Sequence, residues 1–171
     1  MRANYSMLFW GLLLVILDFS INGFDLLPDG IGYLLVAAGC SGLATMSRQF
    51  TTAQTLSYVL AVLWLIGIFV GGQLGTLLAL ASTVLNCLCI WMLLGGIAEV
   101  ATSRGRTDLA ARARQLRMAY VVVMGIMTFA AWLLSGAVGG GLIVIGLVVA
   151  LIIVMIMILI LIHHAKHALA N

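Results

Sequence analysis

The sequence predicts an all-α, polytopic transmembrane helix bundle of six spans, and three observations predict it. Of 171 residues, 64% are hydrophobic and only 8% are charged, whereas a soluble domain carries about 25% charged residues. With a mean hydropathy of +1.25, a water-soluble fold is excluded. The apolar runs are continuous rather than alternating, which selects helices over a closed barrel, the two structures that satisfy the backbone inside a bilayer. The basic residues, finally, all fall into the intervals that a six-span path leaves on one side.

A span takes roughly 20 apolar residues, and six stretches come close to that: 5–22, 28–46, 56–72, 74–100, 118–134 and 142–163. The first opens MRANYSMLFWGLLLVIL, an arginine before an apolar run as in a signal peptide. No A-x-A-like cleavage site follows, so it reads as a retained span. The second starts at Pro28, whose missing N–H suits a first helical turn. Its Gly32, Ala38, Gly39 and Gly42 would let a neighbouring helix approach closely. The third and fifth are short, and the fourth is long enough to tilt or to project into the cytoplasm. Residues 101–117 join spans four and five as an arginine-rich loop with a turn at Arg104-Gly105-Arg106. A helix capped by Thr107, with Asp108 in its first turn, follows that turn. The chain reads as one domain, residues 1–171, with no linker or low-complexity segment.

Six spans place Arg2, Arg48, Arg104, Arg106, Arg112, Arg114, Arg117 and Lys166 together. Lysine and arginine resist translocation, so that side is cytoplasmic and holds both termini. Eight random placements would agree about one time in 128, and five or seven spans would break the pattern. The opposite side carries Asp18, Asp25 and Asp29 with glycine-rich turns at Gly71-Gly72 and 136–141. Turns this short make neighbouring spans antiparallel hairpins. The net charge of +3 is an orientation signal at membrane edges rather than a nucleic-acid surface.

Asp18, Asn22, Asp25 and Asp29 would share a helical face at spacings of about 4, 3 and 4 residues if the helix were unbroken. Pro28 breaks it, so a turn between Gly23 and Leu27 is expected. Asp29 then meets the positive end of the second helix, and Asp25 serves as a turn or cap residue. Asp18 lies about one turn inside span one, where an ionisable group is costly and is by default a functional candidate. With Asn22 and the hairpin aspartates it would form an outward-facing pocket for a cation, a proton or an amine-bearing solute. Arg104, Arg106, Arg112, Arg114 and Arg117 are expected to meet anionic lipid headgroups or an acidic protein partner.

Other candidates are weaker. His163 and His167 have the spacing of a helical metal site, but two histidines are half a site and no acid or cysteine completes it. Cys87 and Cys89 point apart on a helix, and Cys40 lies in an apolar run; all three read as small hydrophobes. Ser82, Thr83, Asn86 and Thr128 are expected to hydrogen-bond between helices. No metal site and no cofactor are expected. Gly39-Cys40-Ser41-Gly42 matches the G-x-S-G of rhomboid proteases, yet the histidines lie at a helix end rather than at matching depth. Asp25-x-x-x-Asp29-Gly30 is similar to the start of the CDP-alcohol phosphotransferase signature, but the spacing is too long and no later aspartate pair follows. No nucleophile–base pair survives, so the chain is not read as an enzyme.

The run DLLPDGIGY from Asp25 to Tyr33 stands with GIAEVA from Gly96 and LAARARQLR from Leu109. Together they resemble a group of small, uncharacterised multi-spanning membrane proteins of Gram-positive bacteria. That resemblance implies a bacterial plasma membrane and no known activity. In size and span count the chain is also similar to the S-components of energy-coupling-factor vitamin transporters, although span one lacks their small-residue docking stripe.

Two functions remain: small-solute or ion binding and transport near Asp18, or a non-catalytic accessory subunit that packs against a membrane partner or a second copy. The topology itself is testable. Cysteines introduced near Gln73 and Gly139 should label from outside and one near Gly105 from inside; outside labelling at Gly105 would rule out six spans.

Overall fold

Six α-helices carry the chain in the computed structural model, which describes residues 2–16, 20–21, 24–25, 29–134 and 141–169. They are α1 (Arg2–Ile16), α2 (Asp29–Ser41), α3 (Arg48–Phe69), α4 (Gly72–Ser103), α5 (Thr107–Leu134) and α6 (Gly141–Ala168). One helix overlaps each apolar segment, as continuous apolar runs in a chain with a single proline require. Between α1 and α2 two short strands, β1 (Ser20–Ile21) and β2 (Phe24–Asp25), pair antiparallel, with Ser20 opposite Asp25.

Several boundaries differ from expectation for local reasons. α3 begins at Arg48 because Ser47, in extended backbone, accepts a hydrogen bond from the Gln49 amide at 3.1 Å and caps the helix. α2 stops at Ser41, and turn bonds over residues 42–46 replace the last turn of the expected span. Residues 101–117 are almost wholly helical, since α4 runs to Ser103 and α5 starts at Thr107. Gly105, at φ 71°, ends α4 in a left-handed turn. Its amide donates to the Thr102 carbonyl and the Arg106 amide to Ala101, which satisfies the last carbonyls of α4. The Arg106 carbonyl accepts the first bond of α5, from Ala110, so Arg106 and not Thr107 holds the cap position. Asp108 sits in the first turn as expected.

Each helix packs on the next, and α6 returns to α1, which closes the six into a ring. α1 and α2 touch backbone to backbone. A methyl group at Gly11 would stand 2.8 Å from the Gly32 carbonyl oxygen, and one at Gly39 2.8 Å from the Asn4 carbonyl oxygen. Gly32 and Gly39 thus do what the sequence suggested, whereas Ala38 is exposed. Phe50 of α3 lies over Gly96 of α4, and Tyr5, Cys40, Leu94, Tyr120, Ile158 and Ile162 complete a buried core.

Burial is strongest towards the end where α1 begins and α6 finishes. Ser47 meets Glu99 there, Arg104 meets Leu169, and Asn4 lies against Gly42. These contacts gather Arg48, the arginines of 104–117 and Lys166 at one end of the bundle. The flanks of α3 to α6 present exposed large hydrophobics such as Leu65, Phe69, Leu77, Phe129, Ile152 and Ile156, a surface suited to lipid and not to water. Arg48–Phe69, Gly72–Ser103 and Ile145–Ala168 are long and apolar enough to cross a membrane. The molecule is a helical membrane protein.

The α1–α2 contact supplies a stability test. Gly32→Leu forces a side chain into the Gly11 backbone and should destabilise the bundle by about 1–3 kcal/mol, read as a lower unfolding midpoint in detergent. Gly67→Leu, where nothing stands within 4 Å, should not lower it.

Candidate functional site

Two polar regions interrupt the apolar bundle. The first is the α2 hairpin. Asp18 and Asn22 lie outside the described residues. The backbone of Asp25 belongs to β2, paired with Ser20, rather than to a turn or helix cap. Asp29 is half-buried in the first turn of α2, where the helix dipole favours its charge. A methyl at neighbouring Gly30 would stand 2.6 Å from the Trp64 ring, so this end of α2 is pressed against α3. One turn along, Tyr33 lies within electrostatic reach of Asp29 and of Cys89, and Tyr120 within reach of Tyr33 and Cys89. Ser57 donates to the Ala53 carbonyl at 2.9 Å and touches the Cys89 sulfur at 3.3 Å. Polar side chains thus lead from Asp29 into the interior.

The second region lies at the arginine-bearing end, among α3, α4 and α5. The Ser47 hydroxyl that caps α3 also donates to the Glu99 carboxylate at 2.6 Å, and the Gln49 amide nitrogen approaches the same oxygen at 3.5 Å. Arg117 stacks its guanidinium 3.6 Å from the centre of the Trp91 ring, a cation–π contact worth about 0.5–2 kcal/mol. Burial draws the Arg117 pKa below its ordinary value, but arginine remains charged at neutral pH. Arg114 donates to the Thr102 hydroxyl at 3.3 Å. Gly95 forms the floor: a methyl there would overlap Gln49 Oε1 and lie 3.2 Å from Arg117 Nη1. Above it Gln49, Glu99, Thr102, Arg114 and Arg117, with Ala98, Ser103 and Met118, line a cleft of about 630 Å³.

The five arginines therefore divide. Arg104 donates to the Leu169 carbonyl and stands near Tyr5, tying the ring shut. Arg106 and Arg112 line a cleft of about 470 Å³ with Asp108, His164 and His167. Arg114 and Arg117 face the Glu99 cleft. The His163 and His167 rings lie 5.0 Å apart, and Phe9 of α1 packs edge-on to His163. The Ser41 hydroxyl donates to the Ala38 carbonyl at 2.8 Å. Thr83 and Thr128 bond carbonyls one turn back in their own helices, not across to neighbours, the usual alternative for threonine in an apolar helix.

The sequence alone singles out none of Ser47, Gln49 and Glu99 as site residues. A signal existed: α4 and α5 fold back about Gly105, so residues roughly equidistant from it meet, as Trp91 and Gly95 meet Arg117. The geometry defines a helical membrane protein with a polar hairpin and a charged cleft. No protein-family model, curated protein or solved structure matches the chain.

Ser47 performs two tasks with one hydroxyl. Ser47→Ala should cost about 1–2 kcal/mol, chiefly through the lost cap, measured as a lower unfolding midpoint. Ser47→Thr keeps both bonds and should stay within about 0.5 kcal/mol.

Proposed function

We propose that the chain is a six-span protein of the bacterial plasma membrane, with its arginine-bearing end and both termini cytoplasmic, that binds and moves a small solute or ion at its first hairpin. The observation that carries this reading is Asp29. Its carboxyl group is half-buried beside Tyr33, where a row of polar groups reaches into an apolar bundle. An acid beside a row of polar groups inside an apolar helical bundle is by default a functional candidate. Asp18, Asn22 and Asp25, close to Asp29 in the sequence, would complete the proposed outward pocket. The gathering of basic residues at the other end supports the orientation. The resemblance of the DLLPDGIGY hairpin to Gram-positive membrane proteins supports the compartment. The role is binding and passage, not catalysis.

A second reading, a non-catalytic accessory subunit, is favoured by Gly67, Gly125 and Gly146, whose helix faces meet nothing within 4 Å. Bare glycine faces allow close helix–helix contact with a partner or a second copy.

Native mass spectrometry of the protein in mild detergent separates the two. An ion or small-molecule adduct that disappears in Asp18→Asn and Asp29→Asn is expected for the pocket. A stoichiometric polypeptide retained in both variants, with no adduct, would replace that reading with the accessory one.

A further inference from the structure

The Glu99 cleft lies at the opposite end of the bundle from the first hairpin and is independent of the function proposed there. Its chemistry is unusually constrained. Among the described residues two buried side-chain atoms belonging to residues of its lining have no hydrogen-bond partner: Gln49 Oε1, an acceptor, and Arg117 Nε, a donor. They are of opposite kind, so a simple anion satisfies only the second and a simple cation only the first. The charges divide in the same way. Glu99 is held on the Gln49 side by Ser47 and Gln49, while Arg117 and Arg114 are held on the other by Trp91 and Thr102. Each arginine is anchored to a neutral group, which leaves the carboxylate and the guanidinium groups facing one space instead of neutralising each other in contact. A volume of about 630 Å³ falls in the range of small-molecule sites, about 300–1,000 Å³.

We propose that this cleft binds a zwitterion bearing an oxyanion and a primary ammonium, the chemistry of phosphoethanolamine. The oxyanion lies on Arg117 and Arg114, and the ammonium lies on Glu99 and the Gln49 side-chain carbonyl. A small turn of the flexible Gln49 and Arg117 side chains brings Oε1 to an ammonium N–H and Nε to an oxyanion, so both buried atoms are satisfied at once. Gly95 is glycine because any side chain would occupy the point where Gln49 and Arg117 converge. The ligand could come from the bilayer, as the head of phosphatidylethanolamine, or from solution, as a free zwitterion. The recognition is the same in both cases.

The test is a titration of the full-length detergent-solubilised protein, followed by native mass spectrometry. One arm adds phosphatidylethanolamine, phosphatidylcholine and phosphatidylglycerol of matched acyl chains. The other adds free phosphoethanolamine, phosphocholine and inorganic phosphate. The expected result, in at least one arm, is about tenfold tighter binding of the primary-ammonium ligand than of its quaternary or cation-free analogue. Preference in the lipid arm alone assigns the site to the bilayer, and preference in the free arm assigns it to a soluble ligand. Glu99→Gln still accepts from Ser47 and so keeps the fold, and it should reduce the preference to about onefold, that is, to none. Arg117→Lys keeps a charge but loses the buried donor, and should weaken the ethanolamine ligand and its analogues together. Equal binding of the three ligands in both arms, or a preference untouched by Glu99→Gln, would overturn the proposal.

Discussion

Hydrocarbon offers no partner to a backbone N–H or C=O, and the architecture follows from the way this chain meets that constraint. Almost every described residue is in a helix that bonds itself. Among the described residues, the joints are short and locally satisfied. Gly105 closes α4 by returning two amides to its last turn, Ser47 opens α3 with a side-chain bond, and only Val70 and Gly71 separate α3 from α4. Short joints leave consecutive helices no choice of neighbour, so the ring order is the chain order. The remaining freedom, where α6 ends, is used by Arg104 and the Leu169 carbonyl to close the ring.

Within that frame, polar groups survive where a second task holds them. The Ser47 hydroxyl caps a helix and holds Glu99. Trp91 packs as an apolar ring and also steadies Arg117. Ser57 returns a bond to its own helix while touching Cys89. Packing and charge placement cooperate at the arginine-bearing end because the same residues supply both, and burial is deepest there. The opposite half of α3 and α4 lacks such residues and relies on lipid to cover Leu65, Phe69 and Leu77.

Much of the fold was legible because it depends on composition and spacing. Six apolar runs became six helices, and Gly105 between two arginines gave the α4–α5 turn. The glycines of α2 were recognisable as a contact surface, although their partner at Gly11 was not. Helix starts were harder: Ser47 reads as one more polar residue in a polar stretch until its bonds to Gln49 and Glu99 are seen. The β1–β2 pairing was invisible, since two-residue strands leave no period. The Glu99 cleft was missed because its members come from three helices. Ser47 and Glu99 are 52 positions apart, and no window along the chain joins them. The hairpin aspartates stood out for the opposite reason, being close in sequence.

The longest helix, α4, has 32 residues and is about 48 Å long. It outreaches a hydrocarbon layer of about 30 Å, so it must tilt or carry one end beyond that layer. The end that bears Glu99 and leads into the Arg104 turn is the one whose charges favour water. The surplus length of α4 is what lifts that end clear of the acyl chains.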